Sequence, residues 1–407
     1  MVHPAVQFGN YRRYPFRLRL IAMTTLTDTA PSPAGTPLTD AAAVQLAAEV
    51  GRAAAPYDAE HDRDATFVRE AYAAMSDLGY LRLAVPTELG GLGASWRQVV
   101  LAEEELGSRS GAAALSAAMH LYLTLVQRWR RRRGAADAEG ALRKVAADGL
   151  VLATSGGSDW VSPTTTATEV EGGYRFDGRK VFCTQAPVAG VLSTSAVLGT
   201  PGPDAVVLHA GVPLSAPGVS IVETWDTLGM RGTASHDLVF DGVFVPAEKI
   251  MGRRPYGVLA GPLLVAAIHF APVAAAAYLG VARGACAEAT RLAAGGDRTG
   301  TTRRVGEMSA RLQVAKWALL SAVDEVGDDP AADEPALAAV MTAKRHAVVE
   351  ARAVVDLALE VAGGRAFFRT SPLERAYRDV RGGPFHPLTP EDTLHLLGRR
   401  ALDAVDG

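Results

Sequence analysis

Three short stretches of this chain carry side chains able to do chemistry. In Gly178-Arg179-Lys180-Val181-Phe182-Cys183-Thr184 a flat ring and a hydroxyl stand two residues apart, and on a strand residues i and i+2 share a face. A hydroxyl beside an aromatic wall suits a planar heterocycle with a polar edge, such as a flavin ring. The same pair also reads as a core phenylalanine and a strand-end hydroxyl. Cys183 points to the opposite face and is not a candidate nucleophile. Ser235-His236-Asp237 and Gly383-Pro384-Phe385-His386-Pro387 each present a histidine, which donates or accepts a proton near neutral pH, although a loop histidine also serves structural ends. Thr154-Ser155-Gly156-Gly157-Ser158-Asp159 adds hydroxyls on a glycine turn. His120, after Ala117-Ala118-Met119, lines a pocket or packs in the core. The nine histidines are scattered, and no Cys-x-x-Cys or His-Glu-x-x-His occurs, so no metal site is expected. Neither a Gly-x-Gly-x-x-Gly after a strand nor a P-loop supports nicotinamide or ATP binding.

These stretches need elements to position them. Residues 1–38 read as a disordered N-terminal extension. Its first 22 residues are basic without the apolar core of a secretory signal, and a Pro/Thr/Ser run follows Met23. The first 22 residues are expected to be an upstream extension without a functional role, the alternatives being a transit peptide or an interaction arm. Residues 39–149 are helical by apolar spacing, over Ala42–Ala53, Ala65–Leu78, Val99–Leu106 and Ala112–Val126, broken by the turn cluster at 86–93. Arg130–Arg133 read as a solvated helix end beside an exposed loop, or as a grip on a phosphate-bearing ligand. Residues 150–253 change period to short strands, Val151–Ala153, Thr164–Val170, Tyr174–Phe176, Val191–Leu198, Ala205–Ala210 and Leu238–Val245. Residues 254–407 return to helix, with Leu263–Ala294, Val305–Val326, Ala336–Val361 and Pro390–Val405 forming a four-helix bundle. A net charge of −3 gives no reason to expect nucleic acid or an anionic membrane as partner. Two cysteines make no disulfide framework, which suits a cytoplasmic setting. No apolar run of about 18 residues escapes interruption by charge or histidine.

The string Trp225–Pro246, WDTLGMRGTASHDLVFDGVFVP, resembles the end of the middle β-domain of the acyl-CoA dehydrogenase superfamily of flavoenzymes, and LGYLRLAVPTELGGLG resembles its first helical domain. The resemblance runs over nearly everything after residue 38. It implies an α+β fold with an N-terminal helical domain, a middle β-domain and a C-terminal four-helix bundle. It also implies a bound FAD. Thr184 matches the threonine at the flavin's polar edge, and Phe182 a position that is usually tryptophan. Thr154 and Ser158 match other hydroxyl contacts, in a loop about two residues shorter than the family's. Gly363-Gly364 and Thr389 match cofactor-contacting positions of the bundle, the glycines toward a neighbouring subunit's cofactor. His120 and Arg231 are assigned to the substrate pocket. The family's loop on the adenosine half of FAD is represented only by Gly295–Arg304, without Phe or Gln, so Arg298 is its candidate phosphate contact and FMN is an alternative to FAD.

The larger departure is the base. Acyl-CoA dehydrogenases remove an α-proton with a carboxylate, and a positioned base is worth roughly 10²–10⁴ in rate. Its usual position, eight residues after the Arg-Asp pair, is Pro387 here, and its other known location falls near His269-Phe270. The chain offers His386, Ser235 and His236 instead as catalytic candidates. That pattern looks like the dehydrogenase-fold monooxygenases, such as dibenzothiophene monooxygenase and amino-sugar N-oxygenases. The expected function is therefore a two-component monooxygenase using O2 and reduced flavin from a partner reductase on a small organic substrate. The alternatives are an acyl-thioester dehydrogenase with a relocated base and a non-catalytic binding subunit. A homo-oligomer, tetramer or dimer, follows from the family's shared cofactor site.

Overall fold

The helical start of the chain is set by its caps. In the computed structural model, which describes residues 37–294 and 299–406, Thr39 accepts from the Ala42 amide to open α1 (Asp40–Ala54). Short α2 (Asp58–Asp64) and α3 (Arg69–Asp77) follow. The helix expected over 65–78 forms as α3 but starts at Arg69, because Ala65 turns left-handed at φ 54° to end α2. A Ser95/Gln98 capping box begins α4 (Trp96–Gly107), and Ser110 caps α5 (Gly111–Arg132). Where an exposed loop was expected after the arginine run, α6 (Ala136–Asp148) forms. Its Ala138, Leu142 and Val145 are buried on one side, a helical spacing masked by the charged residues between them.

Strands then take over: β1 (Leu152–Thr154), β2 (Thr166–Val170), β3 (Gly173–Cys183), β4 (Val191–Leu198), β5 (Val206–Pro213), β6 (Val219–Val222), β7 (His236–Pro246) and β8 (Ile250–Pro255). Their order is β6-β7-β3-β2-β4-β5-β8, with β1 parallel to β4. Phe176, Leu192, Leu208, Leu238 and Val243 fill the core of this sheet.

The C-terminal part consists of α7 (Gly261–Ala293), α8 (Thr299–Val326), α9 (Glu334–Ala362), short α10 (Pro372–Asp379) and α11 (Pro390–Asp406). Helix α7 is the hub, packed against α4, α5, α8 and α9, while α11 lies along α9. A side chain on Gly280 would stand 2.3 Å from the Glu104 carbonyl, and one on Gly107 2.4 Å from that of Ala277. Glycine at both points lets α4 and α7 touch backbone to backbone. By length and composition α7 alone among the described helices is apolar enough to cross a membrane, yet 89% of that window is buried inside the protein.

Candidate active site

A one-residue irregularity shapes the first wall of the site. Lys180 pairs with Leu238, but Cys183 pairs with His236, so β3 carries one extra residue between them. Phe182 sits on that bulge at φ 56°. A bulge reverses the inward–outward alternation, and the expected shared face is lost: Phe182 is 51% exposed and Thr184, past the strand end, only 7%. The Phe182 ring meets Trp225 edge-on at 5.8 Å. The 154–159 loop is held against the bulge by the Gly156 amide donating to the Val181 carbonyl at 2.8 Å. On its other side Gly157 packs so closely on Pro387 that a Cβ would lie 2.3 Å from the proline ring. Thr154, Phe182, Thr184 and the segment after His386 therefore converge.

Ser235 joins them. Its Oγ lies 2.9 Å from the Thr184 hydroxyl and 2.8 Å from that of Thr233. The exposed aromatic face of Phe182, beside buried hydroxyls and a glycine-bearing loop, is a donor set and wall that fit a flavin ring.

The neighbouring histidine plays another part. His236 Nδ1 accepts the Thr224 and Trp225 amides, both at 3.2 Å, and burial lowers its pKa. It ties the preceding turn to β7 rather than offering a free base. His386 Nε2 lies 2.8 Å from the Tyr278 hydroxyl, and its ring stands 5.5 Å from that of Phe270. Burial, with the Lys344 ammonium nearby, pushes its pKa down to about 3. His386 is thus a neutral hydrogen-bonding imidazole, not the group titrating near pH 7 that the sequence suggested. Lys344 Nζ donates to the His386 and Leu388 carbonyls at 2.7 Å and fixes that segment.

Other expected site residues stand elsewhere. His120 is fully buried, Nε2 2.6 Å from the Leu81 carbonyl and Nδ1 accepting the Leu152 amide at 3.0 Å. It is a tie between helix and sheet, not a pocket residue. Arg231 donates to the Asp62 carbonyl, Asp226 and the Thr227 carbonyl, which makes it an interdomain clip. The Thr389 hydroxyl caps α11 through Asp392 and is committed there. Gly363 and Gly364 are exposed, with nothing within 4 Å of an added Cβ. Arg298 and the Ser158 side chain lie outside the described residues. The arginine run is the partly exposed helix end expected, with its cations paired: Arg130 with Asp137, Arg131 with Glu88 and Glu139, and Arg133 with Asp329.

Adjoining Thr154 is a cavity of about 390 Å³ between α5, the sheet and the start of α7. Tyr122, Val126, Trp160, Leu263 and Val265 give it an apolar lining, and Arg130, Arg253 and His209 polar points. Phe270 braces the wall from behind, edge-on to Tyr122 and Trp160, each at 5.4 Å. The Thr194 hydroxyl, buried on the sheet side, has no hydrogen-bond partner. Asp159 is the one carboxylate among the described lining residues. It is not free: Lys180, fully buried, donates to it at 2.5 Å and to the Ser195 carbonyl, and Ser155 adds a bond at 3.1 Å. Sequence reasoning missed this pair. The signal was a lysine at an inward position of a strand, which demands a buried counter-charge.

Profiles of the acyl-CoA dehydrogenase N-terminal, middle and C-terminal domains match residues 40–129, 154–243 and 272–390. The amino sugar nitrososynthase DnmZ of Streptomyces peucetius is 32% identical over 368 residues, 84% of this chain and 88% of the relative. The putative acyl-CoA dehydrogenase YdbM of Bacillus subtilis is 29% identical, over 88% of this chain and 96% of its own length. The structure of KijD3 in complex with FMN and dTDP-3-amino-2,3,6-trideoxy-4-keto-3-methyl-D-glucose superposes with a TM-score of 0.78 at 27% identity, covering 91% of this chain and 95% of that one. With the three-part fold, these similarities establish that the chain belongs to the acyl-CoA dehydrogenase family of flavin-dependent oxidoreductases.

Proposed function

We propose that this protein is the oxygenase component of a two-component flavin monooxygenase that oxidises the amine nitrogen of a small substrate. The observation that carries the proposal is the state of the carboxylates. Dehydrogenation of an acyl thioester needs a free base beside the substrate, and here the one carboxylate among the described lining residues, Asp159, is locked to Lys180. The two positions that resemble the family's base sites hold Pro387 and His269-Phe270. Oxidation of an amine needs no proton taken from carbon. One atom of O2 goes to nitrogen and the other leaves as water, with two electrons supplied by the reduced flavin. Such chemistry asks the protein for a dry, hydrogen-bonding enclosure. Tyr122, Trp160, Val265 and Phe270 supply the apolar barrier, and the unpartnered Thr194 hydroxyl offers the substrate a polar contact. Arg253, at the cavity wall and without an ion-pair partner among the described residues, disfavours an ammonium in the cavity, which keeps the amine nucleophilic. It also suits an anionic handle such as the phosphates of a nucleotide-linked sugar. The DnmZ and KijD3 similarities support that substrate class.

Supply of reduced flavin by a separate reductase, a cytoplasmic setting and a homo-oligomer complete the reading. Phe367 and Phe368, exposed beside Gly363-Gly364, support a second copy covering that face, which light scattering of the purified protein tests. The function itself is tested by giving the protein chemically reduced FMN or FAD, ¹⁸O2 and a dTDP-linked amino sugar. Label in an N-oxidised product is the expected result. The similarity to YdbM favours acyl-thioester dehydrogenation as the second reading. Anaerobic bleaching of the oxidised flavin by an acyl-CoA, without label transfer, would establish that reading instead.

A further inference from the structure

We infer that His209 is a specificity-determining residue of the cavity: Arg254 fixes its imidazole in the tautomer with the proton on Nδ1, and that N–H holds a carbonyl oxygen of the substrate, an assignment that rests on the amine-oxidation reading above and deepens it. On β5 the neighbours Leu208 and Ala210 turn into the sheet core. His209 between them therefore stands on the opposite face, where it lines the cavity. The pairing of β4 with β5 sets Ser195 directly across from it, and Ser195 lines the same cavity. Arg254, on β8, is buried, and its NH1 and NH2 groups are spent on the main-chain carbonyls of Trp160, Val161, Pro255 and Val258. Its Nε remains and donates to His209 Nε2 at 3.1 Å.

A guanidinium only donates, so Nε2 must offer its lone pair, and the single proton of a neutral imidazole then sits on Nδ1. The ring is neutral: burial, with Arg254 and Lys180 nearby, lowers its pKa to about 3. The Nδ1–H takes no partner among the described residues. The cavity wall thus carries a donor that cannot turn into an acceptor, because Arg254 is itself held by its carbonyls. A ligand N–H presented here would meet it proton to proton, whereas a carbonyl oxygen only accepts and pairs with it. The phosphates of a nucleotide-linked substrate belong with Arg253, a cation on the exposed end of the wall. The neutral, half-buried His209 is left for a neutral acceptor, the carbonyl of a keto sugar, with the Ser195 hydroxyl beside it.

Two measurements test this assignment. In the full chain with ¹⁵N-labelled histidine, and with His209→Asn to assign the resonances, His209 should show a protonated Nδ1 and a bare Nε2 from pH 6 to pH 8. A proton on Nε2, or on both nitrogens, overturns the assignment, and this readout serves even if a variant fails to fold. Calorimetry then follows the binding of dTDP-3-amino-2,3,6-trideoxy-4-keto-3-methyl-D-glucose, the ligand of the KijD3 structure, and of dTDP alone, with oxidised FMN in excess. His209→Leu should weaken the keto sugar at least about fivefold, the scale of one neutral hydrogen bond, and leave dTDP unchanged. His209→Asn, whose amide N–H reaches the place of Nδ1, should recover most of that loss. Both variants cost Arg254 its Nε2 acceptor, so a merely structural role predicts equal losses in the two. Equal losses, a loss for dTDP as large as for the keto sugar, or no loss overturns the assignment, while N-oxidation by the wild type leaves the function standing. If the wild type binds neither ligand, the substrate reading falls and the role of His209 with it.

Discussion

Replacing Lys180 by methionine isolates what the buried ion pair contributes. Lys180 is fully buried, 2.5 Å from an Asp159 oxygen that is itself buried. Methionine matches the aliphatic length but leaves Asp159 without its cation. Its remaining bonds, from Ser155 at 3.1 Å and the Thr164 amide at 3.4 Å, are neutral and weaker. Breaking one side of a buried pair costs about 3–5 kcal/mol, which in a unit this large lowers the melting temperature by roughly 4–6 °C. The sign of the pH dependence follows. A lone buried carboxylate is relieved by protonation, so the deficit against wild type should shrink from pH 8 to pH 5. Removing both charges, in Lys180→Met with Asp159→Leu, should restore most of the loss, because two apolar groups replace a pair whose desolvation was already costly. Calorimetry on the four proteins of this cycle at both pH values reads the coupling directly. Equal and additive losses in the single and double variants would refute the view that the pair acts as one unit beneath the 154–159 loop.

The Asp379 pKa is raised by burial to about 7, above its unfolded value, so its contribution to stability is full at pH 4 and is lost as pH rises through 7. Asp379→Asn, which keeps an acceptor for the Met230 amide, should equal the wild type at pH 4 and exceed it by on the order of 4 kcal/mol at pH 8 in chemical denaturation. Gly157→Ala drives a methyl into the Pro387 ring and should weaken flavin uptake at least about tenfold by fluorescence titration, the size of a 1–3 kcal/mol overpacking strain. Gly140→Ala, in α6 with open space around it, should instead stabilise by about 0.5–1 kcal/mol. Tyr278→Phe removes the hydroxyl beside His386 and should lower turnover severalfold. Because His386 stays neutral above about pH 3, wild type and variant should show no inflection from it between pH 5 and 8 in the rate profile.

What the sequence made legible was periodic and local. Val191–Leu198 carries the bounds of β4 because turns flank it on both sides, and Leu263–Ala294 falls within two residues of α7 because apolar residues recur along its length. Edge strands escaped. In β6 the outer residues are half-buried and the middle two exposed, while β8 runs into Arg253-Arg254-Pro255, so neither shows the alternation of a half-buried strand. The site was legible in its hydroxyls and not in its geometry. One extra residue before Cys183 moved Phe182 and Thr184 apart, and no count along the chain reveals a bulge. His120 and Arg231 looked like site residues because their partners, Leu81 and Leu152 for one and Asp62 for the other, are remote in sequence. Lys180 and Asp159 are 21 positions apart on either side of a hairpin, and only the fold joins them.

The positions that resemble the family's base sites are filled, and what fills them bears on the chemistry. His386, beside Pro387, and Phe270, at the alternative base location, meet at 5.5 Å. Phe270 continues through Tyr122 and Trp160 to the cavity wall, and His386 through Tyr278 into the helical core. This side therefore consists of aromatic rings and one imidazole held neutral. A carboxylate here would have to shed water into that apolar surround at a cost of several kcal/mol, and without a cation it would be protonated near neutral pH. The nearest cation, Lys344, is already spent on the His386 and Leu388 carbonyls. A return to base catalysis thus requires more than placing glutamate at residue 387, because the surrounding residues no longer support a charge. The same wall is apolar and offers neutral hydrogen bonds, properties that suit the proposed oxygen transfer and not proton abstraction.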